Sequence, residues 1–132
     1  MAMNIPHELR YTKNHEWVRA EVDGTVTVGI TWHAQDLLGD LVYVGIPQIG
    51  KSFDKGHQCG VVESVKTASD IYSPVAGEVV AVNAELESNP ERINEDPYGA
   101  WIFKLRPSDP GEVSDLLAAA EYESLVLISA LS

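Results

Sequence analysis

The chain has 132 residues, of which 45% are apolar and 22% charged, and this balance is typical of a folded protein with a substantial core. It carries 20 acidic against 9 basic residues, for a formal net charge of −11. This charge argues against nucleic acid and against an anionic membrane surface as partners, because both attract basic surfaces.

The N-terminus and the cysteine content predict a cytoplasmic protein. The opening MAMNIPHELR lacks the apolar segment of a secretory signal, and no stretch approaches the roughly 20 apolar residues of a membrane span. Cys59 is the only cysteine, so an internal disulfide cannot form, which fits a reducing compartment. It lies in the apolar run CGVV, and we expect burial rather than reactivity.

Short apolar runs that end at turn residues predict a series of strands. In chain order they are TVTVGI (25–30), LVYVGIP (41–47), CGVVESV (59–65), DIYSP (70–74), EVVAVN (78–83) and WIFKLRP (101–107). The first alternates with period two, so we expect a half-buried strand with Val26, Val28 and Ile30 on one face. Many short strands separated by turns predict an all-β sandwich or barrel with a helix packed outside.

Helical segments are predicted at two main places. WHAQDLLGD (32–40) is a short helix that ends at Gly39. GEVSDLLAAAEYESLV has apolar residues at helical spacing and predicts one amphipathic helix over about 111–126. These apolar residues are Val113, Leu116, Leu117 and Ala120. Asn83 is a candidate cap of a further short helix, and the closing LVLISALS is expected to form a terminal strand or a docked tail.

The sequence contains no recognisable catalytic motif, which predicts a protein that is not an enzyme. The P-loop, the GxGxxG loop after a strand and the GxSxG elbow are missing. The four histidines are scattered, without the spacing of metal ligands.

A single lysine stands on the short polar segment of a predicted hairpin over about 59–74. Lys66 has small neighbours such as Ser64 and Thr67, so a modifying enzyme could reach its flexible amine. Acylation would remove a charge and lengthen the arm. From spacing alone two interpretations stay open, a modified lysine and an ordinary solvated one, and the second is favoured.

The segment VESVKTASDIYSPVAGEVVAVN resembles the lipoyl-lysine hairpin of the glycine cleavage system H protein family. LRYTKNHEWVRAEVDGTVTVGITWHAQDLLGDLVYVGIP is similar to the family's N-terminal half, including its HEW, GIT-x-HAQ and LGD signatures. NEDPYGAWIFKLRPSDPGEV and LLAAAEYESL resemble its C-terminal half. The resemblance extends from about residue 9 to 126, and several separate motifs occur in the expected order.

The resemblance implies a fold and a site. The fold would be a hybrid β-sandwich or flattened barrel of the lipoyl-carrier type, with short helices and a C-terminal helix, as one domain over 1–132. Lys66 would carry lipoate through an amide. Its attachment hairpin would include Glu63, Ser64 and Val65. Three further residues match positions that line a cleft for the loaded arm, and carboxylates there would stabilise a cationic amine. These three are Asn14, Glu16 and Asp70.

The resemblance also implies a function without catalysis by the chain itself. The protein would shuttle the aminomethyl group of glycine from a pyridoxal-phosphate glycine decarboxylase to an aminomethyltransferase. A dihydrolipoyl dehydrogenase would then reoxidise the arm, and lipoate-attaching enzymes would be further partners.

Three features depart from the family pattern. Trp32 stands within GIT-x-HAQ where many members have an acid. PYGAW (97–101) is one residue shorter than the common PY-x-x-GW form. The C-terminal tail is apolar where relatives often end with acidic residues.

The sequence fits other classes of carrier domain less well. A biotinyl domain, or a lipoyl domain of a 2-oxoacid dehydrogenase, is shorter and lacks the HEW region. Biotinyl domains also flank the lysine with methionines, whereas Val65 and Thr67 flank it here. An added role in relaying lipoate to other carriers, and a non-carrier interaction module with an unmodified Lys66, stay open.

Overall fold

The structure, a computed structural model, describes residues 4–131, with side chains as far as Ile128. The strands of this part are, in chain order, β1 (Arg10–Tyr11), β2 (Glu16–Ala20), β3 (Val26–Ile30), β4 (Leu41–Gly45), β5 (Ser52–Phe53), β6 (Gln58–Ser64), β7 (Ala68–Tyr72), β8 (Gly77–Val82) and β9 (Phe103–Pro107). The helices are α1 (Trp32–Leu38), α2 (Glu85–Ser88), α3 (Arg92–Glu95), α4 (Gly111–Ser114) and α5 (Ala119–Leu131).

The strands form two antiparallel sheets. One has six strands in the order β1-β2-β3-β9-β8-β5, and the other has three in the order β4-β6-β7. The predicted mainly-β fold with a C-terminal helix is confirmed. Within residues 4–131 neither sheet closes on itself, so the architecture is an open sandwich rather than a barrel.

Strand β3 is buried on both faces, and the prediction of a half-buried strand was wrong. Val26 and Val28 face the main core, as the alternation predicted. The opposite face is covered by the ring of Trp17: a Cβ added at Gly29 would lie 2.5 Å from the Trp17 Cε2 atom. An alternating pattern marks the two faces of a strand, but it does not show whether a second layer covers the other face.

Two apolar clusters hold the fold together. The larger lies between the sheets and includes Val44, Val62 and Phe103. The smaller packs α5 against β1 and β2. It consists of Leu9, Tyr11, Trp17, Ala119, Tyr122 and Val126.

Helix α1 is confirmed together with both of its ends. The Thr31 hydroxyl accepts the Ala34 N–H at 3.2 Å, which caps the first turn. Gly39 adopts φ 84° and donates its N–H to the Gln35 carbonyl at 2.9 Å. This left-handed conformation favours glycine and ends the helix.

The single helix predicted over 111–126 is two helices in the structure. Leu117 leaves the helical path and pairs with Tyr11 through two backbone hydrogen bonds of 2.9 Å. Helix α5 then begins at Ala119, where the Glu121 carboxylate accepts the Ala118 N–H at 2.8 Å. The closing residues as far as Leu131 continue α5, so the expected terminal strand was wrong, whereas the packing of Val126 in the smaller cluster agrees with a docked tail. Ala120, assigned to the buried face, is exposed.

The side chain of Asn83 does not cap a helix. Its Nδ2 donates to the Trp101 carbonyl at 2.8 Å, and α2 begins two residues later without a side-chain cap. Within residues 4–131 no helix is both long and apolar enough to cross a membrane.

Candidate functional site

The predicted hairpin forms, with a shorter connection than the sequence suggested. Strand β6 ends at Ser64 and β7 begins at Ala68, so three residues form the turn instead of the expected Lys66 to Ser69. The Ser64 N–H donates to the Thr67 carbonyl at 2.7 Å, and the Thr67 N–H donates to the Ser64 Oγ at 3.2 Å. The buried Ser64 side chain therefore closes the turn from inside.

Lys66 occupies the middle of this turn and is exposed. Its aliphatic stem lies against Gly39 at the end of α1, where an added Cβ would come within 3.2 Å of the Lys66 Cε. The described ion pairs of the chain lie elsewhere, at Arg19 and Arg92. Lys66 is therefore exposed on a turn that is fixed by its own hydrogen bonds, with the end of its side chain, including Nζ, lying over Gly39.

A cleft of about 490 Å³ opens beyond the far end of β7. Its walls come from the loop before β2, from the end of β7 and from the α4–α5 connection. The lining residues are Tyr11, Thr12, Lys13, Asn14, Glu16, Lys55, Tyr72, Ser73, Pro74, Asp115, Leu116, Leu117 and Leu125. Six of these side chains are aliphatic or aromatic and seven are polar or charged, so the cleft offers apolar walls together with convergent polar groups, as small-molecule sites do.

Glu16 is the buried acid of this cleft, with only 1% of its surface exposed. Its Oε1 accepts the Thr12 hydroxyl at 2.5 Å, and its Oε2 accepts the Tyr72 N–H at 3.2 Å. Burial raises the pKa of Glu16 to about 7, against the lowering effect of these two hydrogen bonds. A positive charge in the cleft would favour the ionised form.

The loop before β2 holds this carboxyl group in place. The Thr12 Oγ1 accepts the backbone N–H groups of both Asn14 and Glu16 at 3.2 Å, so its own proton is directed to Glu16. His15 adopts φ 70°, a conformation that non-glycine residues rarely take. Its Nδ1 lies 2.7 Å from the Tyr122 hydroxyl, which ties the loop to α5.

The predicted site residues fall into two groups. Glu63, Ser64 and Val65 lie beside Lys66 in the hairpin, and Asn14 and Glu16 line the cleft. Asp70 is not part of the cleft lining. It is exposed midway along β7, where its Oδ1 accepts the Gln58 Nε2 at 2.8 Å.

The sequence did not reveal several residues of the cleft. Thr12 offered no signal, because its contact with Glu16 depends on the conformation of the loop. Leu117 and Leu125 were assigned to one helix, and the break that turns this segment toward β1 is fixed by tertiary pairing with Tyr11. A Thr-x-x-x-Glu spacing before a strand is too common to predict such a contact.

The structure also places the three departures from the family pattern. Trp32 is half-buried at the start of α1, and its backbone N–H donates to the Tyr98 hydroxyl at 3.2 Å. Tyr98 belongs to PYGAW, and its hydroxyl in turn donates to the Asn4 carbonyl at 2.5 Å. The apolar tail is part of α5, where Val126 packs in the smaller cluster.

An exposed lysine on a fixed turn, joined by one strand to an apolar cleft with a buried acid, suits a domain that carries a group on a lysine arm. Comparison with known proteins defines this class further. A family model described as Glycine cleavage H-protein matches residues 9–127. A glycine cleavage system H protein from Thiobacillus denitrificans is 60% identical over 124 residues, covering 94% of this chain and 96% of that protein.

Further relatives agree. A glycine cleavage system H protein from Nitrosomonas europaea is 59% identical over 124 residues, with the same two coverages. A crystal structure of a glycine cleavage system H protein from Mycobacterium marinum has a TM-score of 0.83 and 42% identity, covering 91% of this chain and 97% of that chain.

The chain belongs to the glycine cleavage H-protein family. It is a lipoyl carrier of glycine cleavage, which shuttles the aminomethyl group of glycine between components of that system. The predicted family and function are confirmed, and the match decides against the biotinyl domain and the lipoyl domain of a 2-oxoacid dehydrogenase.

Proposed function

We propose that Lys66 is the residue that carries lipoate. The proposal rests on the position of Lys66 at the middle of a fixed, exposed turn, where an enzyme can reach its amine. Attachment requires the amine to lose a proton and attack the acyl carbon of an activated lipoyl donor. The carbon–nitrogen bond forms, and the leaving group of the donor departs with the electrons of its bond.

Strand β7 links this lysine to the cleft. Alternation places Ala68, Asp70 and Tyr72 on one face of β7, in a row that begins beside Lys66. Six residues of extended strand from Lys66 to Tyr72 span roughly 20 Å. The lysine side chain and the lipoyl chain together are shorter than this span, so an arm that folds back along this face passes Asp70 and reaches the cleft only with its far end.

The cleft fits an acyl arm with a cationic end. Leu117, Leu125 and Pro74 give it apolar walls for a hydrocarbon chain. Glu16 supplies a carboxyl group whose two oxygens are already oriented by Thr12 and Tyr72. When attached, lipoate supplies a disulfide that can be opened to hold a one-carbon group on sulfur. The chain's part is to bind the arm, to limit access of water and to hold a proton near Glu16.

The chain acts as a carrier and leaves catalysis to its partners. The partners we propose are the glycine decarboxylase, the aminomethyltransferase, the dihydrolipoyl dehydrogenase and the lipoate-attaching enzymes. A tethered arm raises the local concentration of the carried group at each of them. The isolated protein is expected to show no turnover with glycine alone.

Intact mass after incubation with a lipoate-attaching enzyme tests the attachment. The wild-type protein should gain one lipoyl group, and Lys66→Arg should gain none, because the guanidinium remains protonated and does not act as the nucleophile. Lys55→Arg is the matched control, since Lys55 is another exposed lysine and lines the cleft. A lipoylated Lys66→Arg protein would overturn the proposal.

A further inference from the structure

An apolar patch lies on one side of the lysine turn. It is formed by large side chains that are far more exposed than those of the core, and we call it the tip patch. Its members are Leu37 (61% exposed), Val42 (55%) and Val65 (85%), together with Tyr43 (49%), whose ring leans over Gly45 at the edge of the patch that is farther from the turn. Val22 and Ile49 are also exposed, but they lie outside the tip patch.

A β-bulge turns two members of the patch outward. Leu41 pairs with Ser64 and Tyr43 pairs with Glu63, with a register shift between the two pairs. Val42 is therefore an extra residue beside the end of β6, and it is exposed together with Tyr43. Without the bulge, one of two successive side chains would point into the core.

Helix α1 brings Leu37 to the same end of the molecule. Leu37 lies in the last turn of α1, two residues before Gly39, against which the stem of Lys66 rests. Val65 precedes Lys66 in the turn itself. The patch thus adjoins the amine on the side of α1 and β4.

Acidic residues border the patch. Glu63 stands opposite Tyr43 in the sheet, and Asp36 and Asp40 lie on either side of Leu37 in the chain. The ion pairs of residues 4–131 involve Arg19 and Arg92, away from this border. An apolar surface with an acidic rim complements an apolar recess that is bordered by lysine or arginine.

We propose that the tip patch is the docking surface for the enzyme that acylates Lys66, and that this enzyme seats it in an apolar recess with a basic rim. The proposal rests on Lys66 being the acylation site. The choice of partner follows from reach. A bare lysine extends only one side chain beyond the turn, so the acylating enzyme must press against Val65 and its neighbours. Enzymes that act at the end of the finished arm are held farther away.

The test measures lipoyl transfer to the full-length, lipoate-free protein by a lipoate-attaching enzyme. Val65→Ser and Leu37→Ser should each lower kcat/KM for transfer roughly tenfold, the size expected when one aliphatic side chain no longer becomes buried. The change should lie in KM, because docking contacts are made equally before and during the reaction. Val22→Ser and Ile49→Ser are the matched controls. Val22 and Ile49 are exposed aliphatic residues of similar size that lie away from Lys66, so both variants should be lipoylated at the wild-type rate.

The contribution of the acidic residues that border the tip patch is tested by the dependence of KM on ionic strength. Glu63→Gln should raise KM several-fold at low ionic strength and by less at high ionic strength, since rim charges are screened. Glu78→Gln, an exposed acid on β8, is its control and should leave KM unchanged.

Three results would overturn the inference. In the first, Val65→Ser and Leu37→Ser accept the lipoyl group as fast as their controls, while the wild-type protein is lipoylated at Lys66. The docking surface would then be wrong and the proposed attachment site would stand. The variants could accept lipoate at the wild-type rate and then prove about tenfold poorer than wild type with glycine decarboxylase, which would assign the patch to that enzyme. Failure of the wild-type protein to accept lipoate would remove the proposed function itself, and this inference with it.

Discussion

Among single residues, Glu16 couples the cleft to pH. Burial raises its pKa from 4.5 to about 7, so the folded protein holds this proton more tightly than the unfolded chain does. Between about pH 4.5 and pH 7 Glu16 is protonated in the folded protein and ionised in the unfolded chain, so unfolding releases a proton. The free energy of unfolding must therefore fall as pH rises through this window. The expected loss from this group is roughly 3 kcal/mol across the window, measured by urea unfolding at a series of pH values.

Glu16→Gln isolates this contribution. The amide keeps the size of the side chain but has one acceptor oxygen for the two donors, Thr12 and Tyr72. The variant should be less stable at low pH, by about 1–3 kcal/mol, because one buried donor loses its partner. The difference between wild type and variant should then shrink with rising pH. A difference that stays constant between about pH 4.5 and pH 7 would contradict the assignment.

The burial of Cys59 predicts that its thiol reacts slowly in the folded protein. Burial, with the nearby charge of Glu16, raises the pKa of the Cys59 thiol to about 12, and only 8% of the residue is exposed. The expected burial is confirmed. Because the thiolate is the reactive form, alkylation of the folded protein should be at least about 100-fold slower than in denaturant. Equal rates in the two conditions, followed by mass spectrometry, would show that Cys59 is accessible.

At the scale of elements, one hydroxyl group adds polar contacts to the apolar packing that holds helix α5 against the sheet. The Tyr122 hydroxyl lies 2.7 Å from both the His15 Nδ1 and the Thr31 Oγ1, and its ring stacks on Tyr11 at 4.7 Å. Tyr122→Phe keeps the stacking but removes the shared partner of two polar groups. We expect it to lower the free energy of unfolding by about 1–3 kcal/mol.

Ser124→Ala is the control for this prediction. Its hydroxyl bonds to the Ala120 carbonyl on the exposed face of the same helix. The change should alter stability by no more than about 0.5 kcal/mol in urea unfolding. If Tyr122→Phe behaves like Ser124→Ala, the hydroxyl network does not hold α5.

The elements also show where sequence reasoning reached its limit. The hairpin around Lys66 and helix α1 were predicted because local signals define them, namely alternation, small turn residues and the Gly39 stop. The break in the predicted helix over 111–126 could not be predicted, because Leu117 exchanges helical hydrogen bonds for a pairing with Tyr11 more than a hundred residues earlier. Local propensity is overridden there by tertiary structure.

The same limit applies to the site. Lys66 was predicted as the attachment site because its motif is contiguous, and Asn14 and Glu16 were predicted as cleft residues because they match a short motif near HEW. The burial of Glu16, which makes it more than a surface charge, depends on Tyr72 and the cleft walls, and these are remote in sequence. Asp70 matched the family's hairpin motif equally well, but in the structure it lies outside the cleft lining.

At the scale of the whole molecule, the cleft is assembled from three distant parts of the chain. The loop at Thr12 and Glu16 supplies the acid, the end of β7 supplies Tyr72, and the α4–α5 connection supplies apolar walls such as Leu117. None of these parts encloses a binding site alone. The selectivity for a charged end that we propose for the cleft is therefore expected only of the folded protein, and it can be measured without lipoate.

Hexylamine is a suitable probe, since its alkyl chain matches the apolar walls and its ammonium matches Glu16. Binding to lipoate-free protein, followed by NMR chemical shifts of cleft residues, should strengthen from about pH 5 to about pH 8 as Glu16 ionises. Hexanol, which has the same chain without the charge, should bind with little dependence on pH. Lys13, Lys55 and Asp115 also line the cleft, so a variant must isolate the part of Glu16.

Glu16→Gln should weaken hexylamine binding at about pH 8 roughly two- to fivefold, leave hexanol binding unchanged and flatten the dependence on pH. Asp70→Asn serves as the comparison, because Asp70 is exposed on β7 outside the cleft lining and should leave both probes unaffected. If Asp70→Asn weakens hexylamine binding as much as Glu16→Gln does, the cationic end is held along β7 and not in the cleft. If neither variant changes it, the preference for a cation does not come from these carboxylates, and the role assigned to Glu16 is wrong.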